Sequence, residues 1–156
     1  MKQKKDFFRS KNDPLHIPPG GPGASPSPPR VYDQMGEQSI QLMLKDFYKL
    51  LGSSEIAPMF PQELEQAAAK SALFFIGLLG GPPLYHQTYG PPRMRMRHLP
   101  FKITESHRQV WLACFYKVLE NSERYRFPDQ EIPAFKAFLE GFSGWMVNSE
   151  DTAMPS

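Results

Sequence analysis

The chain of 156 residues has a single cysteine, Cys114, so it can form no disulfide within itself. That thiol falls on an apolar helical stripe and reads as a small buried hydrophobe in a reducing compartment. Long apolar runs are missing too, since none approaches the roughly 18 residues of a membrane span. The basic start, Met1-Lys2-Gln3-Lys4-Lys5, lacks the apolar core of a secretory signal. Together these absences predict a cytoplasmic protein with no membrane partner. Neither sign of charge dominates: 18 basic and 16 acidic residues leave a formal net charge of +2. That balance argues against a nucleic-acid partner despite the local run of Arg93, Arg95 and Arg97. No segment alternates with strand period and no internal repeat occurs.

Proline and glycine, by contrast, are concentrated at the start. Pro14, Pro18, Pro19, Pro22, Pro26, Pro28 and Pro29, with Gly20, Gly21 and Gly23, lock or loosen the backbone against regular structure. Residues 1–30 are therefore expected to be a disordered arm, 31–149 the folded domain, and 150–156 a flexible C-terminal tail. Phe7-Phe8 and the arm's basic residues read as part of a solvated tail rather than a docking segment.

Inside the domain, Ile40, Met43, Leu44, Phe47 and Leu51 recur at helical spacing and predict an amphipathic helix ended by Gly52. Tyr48 shares that apolar face, where its hydroxyl will need a partner. Pro61 suits the first turn of a second helix, whose broad apolar face includes Leu64, Ala68, Ala72 and Phe75 and which Gly80-Gly81-Pro82-Pro83 stops. A loop through Tyr85, Tyr89, Gly90, Pro91 and Pro92 then leads to a short helical piece ending near His98 and bounded by Pro100. Two long helices follow, one carrying Val110, Trp111, Cys114, Phe115 and Val118, the other Phe135, Phe138, Leu139, Phe142 and Met146. The pattern is all-α, with two antiparallel pairs able to sandwich a flat ligand.

The segment Arg93-Met94-Arg95-Met96-Arg97-His98-Leu99-Pro100-Phe101 holds one histidine and no Cys, Asp or Glu. A metal taken by that imidazole alone is better explained by haem iron than by a cage of side chains. Spacing by itself leaves a second reading open, a solvated surface histidine. Met94, one turn earlier, and Leu99 and Phe101 beside it suit a porphyrin face. No Cys-x-x-Cys-His occurs, so any haem is held without covalent attachment and is b-type. From its stripe alone Trp111 is either plain core or a hydrogen-bond donor. His86 and His107 read as surface residues, His16 lies in the arm, and Arg93 and Arg95 read as solvent-facing.

The order Gly80-Gly81-Pro82-Pro83-Leu84-Tyr85, then Arg97-His98-Leu99-Pro100-Phe101, then Trp111, resembles the second subgroup (group II) of the truncated haemoglobins. The resemblance runs from Tyr32 to about Asn148. It implies a globin of the 2-on-2 kind, an all-α helical sandwich around haem b, with His98 as the axial metal ligand. It places Lys70 and Tyr85, with Arg97 as a further candidate, at the haem propionates, and Met94, Phe101, Ala67 and Phe74 as further cofactor contacts. Around the bound gas it places Tyr48, Phe60, Ala67, Ser71 and Trp111. Ala67 stands where many haemoglobins present a distal histidine, which implies an open gate. Phe60 stands where many members of the subgroup carry a tyrosine, which leaves Tyr48 and Trp111 as the main donors.

The function expected from this is reversible binding of O2 or another small diatomic ligand, of the transport or sensing type, with NO, CO and peroxide as other ligands. The alternative is a haem enzyme performing NO dioxygenation or peroxidase-like chemistry with a separate reductase. The ligand-binding reading is preferred to a dedicated enzyme. A third reading is a haem-free helical interaction module. Monomer and homodimer both remain open.

Overall fold

A computed structural model describes residues 7–10, 12–18 and 26–151. Helix α1 is a single turn (Tyr32–Met35), followed by α2 (Glu37–Gly52), α3 (Leu64–Leu78), α4 (Leu84–Tyr89), α5 (Met94–His98), α6 (Glu105–Leu119) and α7 (Ile132–Met146). Among the described residues there is no strand, and no helix is long and apolar enough to cross a membrane.

The long helices pack as two pairs, α2 along α3 and α6 along α7, and α2 also meets α6. Each contributes one phenylalanine to the centre: Phe47, Phe75, Phe115 and Phe135, none more than 2% exposed. Phe115 is the hub, with ring centroids 4.2 Å from Phe47, 5.6 Å from Phe75 and 5.5 Å from Phe135. Burying such a side chain contributes about 1.5–3 kcal/mol by transfer alone.

Glycine sets two of the corners. Gly36 ends α1 with a φ of 81°, in the left-handed region that side chains avoid. After α3, a Cβ on Gly81 would lie 2.6 Å from the Tyr32 ring and 2.8 Å from the Ile76 side chain, so only glycine lets the chain turn there. The turn that follows α6 is fastened to α2 through Asp46, which accepts hydrogen bonds from Tyr125 Oη at 2.7 Å and Arg124 Nε at 2.8 Å. Burial pushes the Asp46 carboxyl up, but these two bonds outweigh it and hold the group below the usual carboxylate value. Tyr125, desolvated and donating to Asp46, is pushed up to about 12.

Three expectations need correcting. The second helix begins at Leu64, not at Pro61, because the chain is still finishing a 3-10 turn at Ala57–Met59 and stays non-helical through Glu63. Residues 84–89, expected as a loop, form α4, which buries Tyr85 while Tyr89 stays exposed. The arm is not solvated throughout. Parts of it (1–6, 11 and 19–25) lie outside the described residues, but Phe7 is fully buried in the core and Phe8 pairs antiparallel with Phe101. The reason is the two adjacent aromatics, whose burial outweighs ordering the short segment that carries them.

Phe115→Ala should cost about 3–5 kcal/mol in urea denaturation, since three rings lose their common neighbour; a loss below 1 kcal/mol would contradict the hub. Because the folded-state carboxyl of Asp46 is depressed, its stabilisation is complete above the ordinary carboxylate value and disappears as pH falls through the lower, folded one. The Tm advantage of the native chain over Asp46→Asn should therefore shrink as pH falls below the ordinary carboxylate value.

Candidate functional site

Between the two helix pairs lies a cavity of about 530 Å³, and every residue that the family resemblance places around the cofactor or its ligand lines it, whereas Leu99, expected beside a porphyrin face, is not on the lining. Helix α2 and the turn after it bring Tyr48 and Phe60, α3 brings Ala67, Lys70, Ser71 and Phe74, α4 brings Tyr85, and α6 brings Trp111. Met94, Arg97 and His98 come from α5, with Phe101 just beyond it. No Asp or Glu is on the lining.

The imidazole of His98 is fixed by its own short helix. Nδ1 lies 2.6 Å from the Met94 carbonyl oxygen, one turn back. A carbonyl can only accept, so Nδ1 carries the hydrogen and Nε2 keeps its lone pair. Among the described residues Nε2 has no partner. Burial pushes the His98 pKa down, with the bond to Met94 opposing it, so the ring is neutral at physiological pH. A neutral imidazole with one nitrogen held by a backbone carbonyl and the other open is the usual arrangement of a metal ligand.

Hydrogen-bond donors come from other walls. The Tyr48 hydroxyl shares the cavity wall with the Ser71 side chain, and desolvation pushes its pKa up, so it keeps its proton. Trp111 is packed edge-on against Phe47 at 5.4 Å and lies 5.6 Å from Phe115 and 6.5 Å from Phe142. Three rings thus set the plane of its indole, whose N–H can only donate. Phe60 stacks edge-on to Tyr48 at 5.7 Å and offers no polar atom.

The mouth is cationic. Arg97 donates to the carbonyls of Pro92 at 2.7 Å, Tyr89 at 2.9 Å and Pro91 at 3.1 Å, and its guanidinium lies 5.4 Å from the Tyr85 ring centroid. The Lys70 ammonium sits 4.6 Å from the Tyr89 ring centroid. Between Glu65 and Glu105 the chain has Lys70, Arg93, Arg95, Arg97 and Lys102 but no carboxylate side chain at all.

Two residues read as surface groups are not. His107 is only 6% exposed, lines the cavity and stacks on Phe7 at 5.3 Å. It forms a capping box with Thr104 at the start of α6, its Nδ1 lying 3.3 Å from the Thr104 amide and 2.8 Å from the Lys102 carbonyl. Arg95 is half-buried, donating to the carbonyls of Trp145, Val147 and His16. His86 and Arg93 are exposed, as expected. Met59, Ile103, Arg108, Phe142 and Met146 also line the cavity and were not singled out; Phe142 and Met146 carried a signal, the α7 stripe, but it read as core.

The lining fits a flat, metal-bearing group with anionic edges. One imidazole nitrogen is open, the walls are largely aromatic, and Lys70 and Arg97 stand at the rim with no carboxylate to compete for them. Among the described residues no group of three or more His, Cys, Asp or Glu could hold a metal ion by itself, so a metal here arrives with its own ring of ligands.

Comparison with known proteins agrees with this geometry. The bacterial-like globin family model matches residues 30–145. Over 91 residues the chain is 36% identical to the group 2 truncated hemoglobin YjbI of Bacillus subtilis (strain 168), spanning 58% of this chain and 69% of that one. It spans little more than half the length of two plant relatives, 55% and 57%. Among solved structures, phosphate-bound Hell's gate globin IV superposes with a TM-score of 0.75 at 32% identity, covering 84% of this chain and 82% of that one. A truncated oxygen-avid haemoglobin from Bacillus subtilis superposes at 0.70 with 32% identity, covering 76% and 99%. The chain belongs to the bacterial-like globin family, as a group II truncated haemoglobin of the 2-on-2 fold whose cofactor is haem b.

Proposed function

We propose that the protein binds O2 reversibly in the cavity that His98 shares with Trp111 and Tyr48. The observation that carries this reading is the pairing of one open imidazole nitrogen with two side chains that can only or preferentially donate hydrogen bonds into the same apolar space. Haem b, when bound, would supply an iron that His98 could ligate and that could take up a diatomic gas.

The remaining chemistry belongs to the chain. His98 would ligate through Nε2, and its bond to Met94 raises the basicity of that nitrogen and prevents the ring from turning. A gas that gains electron density on binding is stabilised by donors already in place, because they need no reorganisation when charge develops. Trp111 meets that condition through the three rings around it, and Tyr48 through Ser71. Tyr48 acts with Ser71 in this reading, since Phe60 has no polar atom to add. Ala67 leaves the space beside Ser71 unobstructed and adds no donor. Lys70, Tyr85 and Arg97 would hold the propionates, and Met94, Phe74 and Phe101 would pack against the ring. The Bacillus subtilis relative is described as oxygen-avid, which supports O2 as the ligand.

Protein purified with haem should show a Soret band that His98→Ala abolishes or shifts to a weakly ligated form, read by absorption spectroscopy; an unchanged spectrum would remove His98 from the axial position. Trp111→Phe should speed O2 release by roughly ten- to a hundredfold, corresponding to about 1.5–3 kcal/mol for a hydrogen bond to a charged group. Tyr48→Phe should have a smaller effect, about 0.5–1.5 kcal/mol. Both are measured by stopped-flow displacement of O2, and equal off-rates in all three proteins would refute the donor roles.

A further inference from the structure

Beneath the cavity, the N-terminal residues and the segment around His98 are joined more closely than a tail and a domain need to be. The backbone of the arm pairs with residues 100–102: Lys102 N donates to the Phe7 carbonyl at 2.7 Å and Arg9 N to the Pro100 carbonyl at 2.9 Å. Phe8 lies across this pairing with its ring 5.3 Å from Phe101, which lines the cavity and whose ring is 6.3 Å from that of His98. Further along, His16 N donates to the Asn148 carbonyl at 2.9 Å. The side-chain amide of Asn148 in turn donates to the Phe101 carbonyl at 2.9 Å, and its Oδ1 accepts from Ile103 N at 3.0 Å.

Arg95 closes the arrangement. Its Nη1 donates to the carbonyls of Trp145 and Val147 at 2.5 and 2.7 Å, and Nη2 to the carbonyl of His16 at 2.7 Å. Its guanidinium also lies over the Trp145 ring at 4.5 Å. One planar cation on the His98 helix thus ties the end of α7 to the arm. A helix of five residues has too few internal bonds to hold itself, so the orientation of α5 must come from what it is fastened to.

We infer that residues 7–10 and 12–16 form a strap that holds α5 and the turn after it, and that Arg95 is a positioning residue setting the direction of the His98 imidazole. This rests on His98 being the haem ligand. The strap acts through Phe101 on one side and Arg95 on the other. Phe7 anchors it, being fully buried against His107.

The test uses full-length protein with Arg95→Lys and Phe7→Ala. Lysine has no fork to reach three carbonyls from one head. The amide of Lys102, whose acceptor is the Phe7 carbonyl, should exchange with deuterium at least roughly tenfold faster in Phe7→Ala, as expected for the loss of one or two hydrogen bonds. In both variants the iron–histidine stretching band in resonance Raman spectra should move, and haem transfer to an apo-globin acceptor should speed up by roughly tenfold. Tyr125→Phe, which loosens the distant Asp46 fastening, is the control and should lower Tm while leaving the band and the Lys102 amide unchanged. If both strap variants keep the native band and haem-loss rate, the inference is overturned; if Phe7→Ala does not fold, Arg95→Lys decides alone. Native protein that takes up no haem would defeat the functional reading instead, while Lys102 exchange would still report on the strap.

Discussion

A hydrogen bond 2.6 Å long, from the His98 ring to the carbonyl of Met94, decides what the cavity can hold. It selects the tautomer, leaves the second ring nitrogen with its lone pair, and keeps the ring from turning. Burial then keeps the imidazole neutral, which ligation requires. The other features of the cavity assume this one. Donors at Trp111 and Tyr48 have a purpose only if something binds beside them, and the cationic rim at Lys70 and Arg97 only if the cofactor has anionic edges.

The core and the cavity are built from the same helices without conflict. Phe47, Phe75, Phe115 and Phe135 fill the centre, while residues one position or one turn away, Tyr48, Ser71, Phe74 and Trp111, face the cofactor space. The ring contacts of Trp111 with Phe47 and Phe115 therefore link packing to binding. The same rings that stabilise the fold hold the indole in one plane, which is the preorganisation that a donor needs to discriminate between bound gases.

Much of this was legible in the residues. The four long helices followed from spacing, and the segment from Arg93 to Phe101 marked its histidine because no Cys, Asp or Glu there could build a metal cage with it. The order of motifs then assigned the walls of the cavity, and those residues do meet in one space. What could not be read was set by tertiary partners. Arg95 and Arg97 are chemically alike and two residues apart, yet one binds three carbonyls from distant segments and the other three from its own loop. His107 resembles an exposed first-turn residue until Phe7 is laid against it. The arm's composition spoke for a chain without structure, and the two phenylalanines that oppose this were too few to shift a reading based on averages.

The brevity of α5 has a further consequence for how such a protein can vary. Each residue of a helix turns the chain by about 100°, and α5 has only five, confined between Pro92 and Pro100. One residue gained or lost between those prolines would rotate the imidazole out of the cavity by more than a quarter circle, with no remaining length over which the register could recover. Apart from His98 and Arg95, side chains there can be exchanged, but the spacing cannot. Length polymorphism among descendants of this sequence should therefore gather elsewhere, in the connections before α3 and after α6.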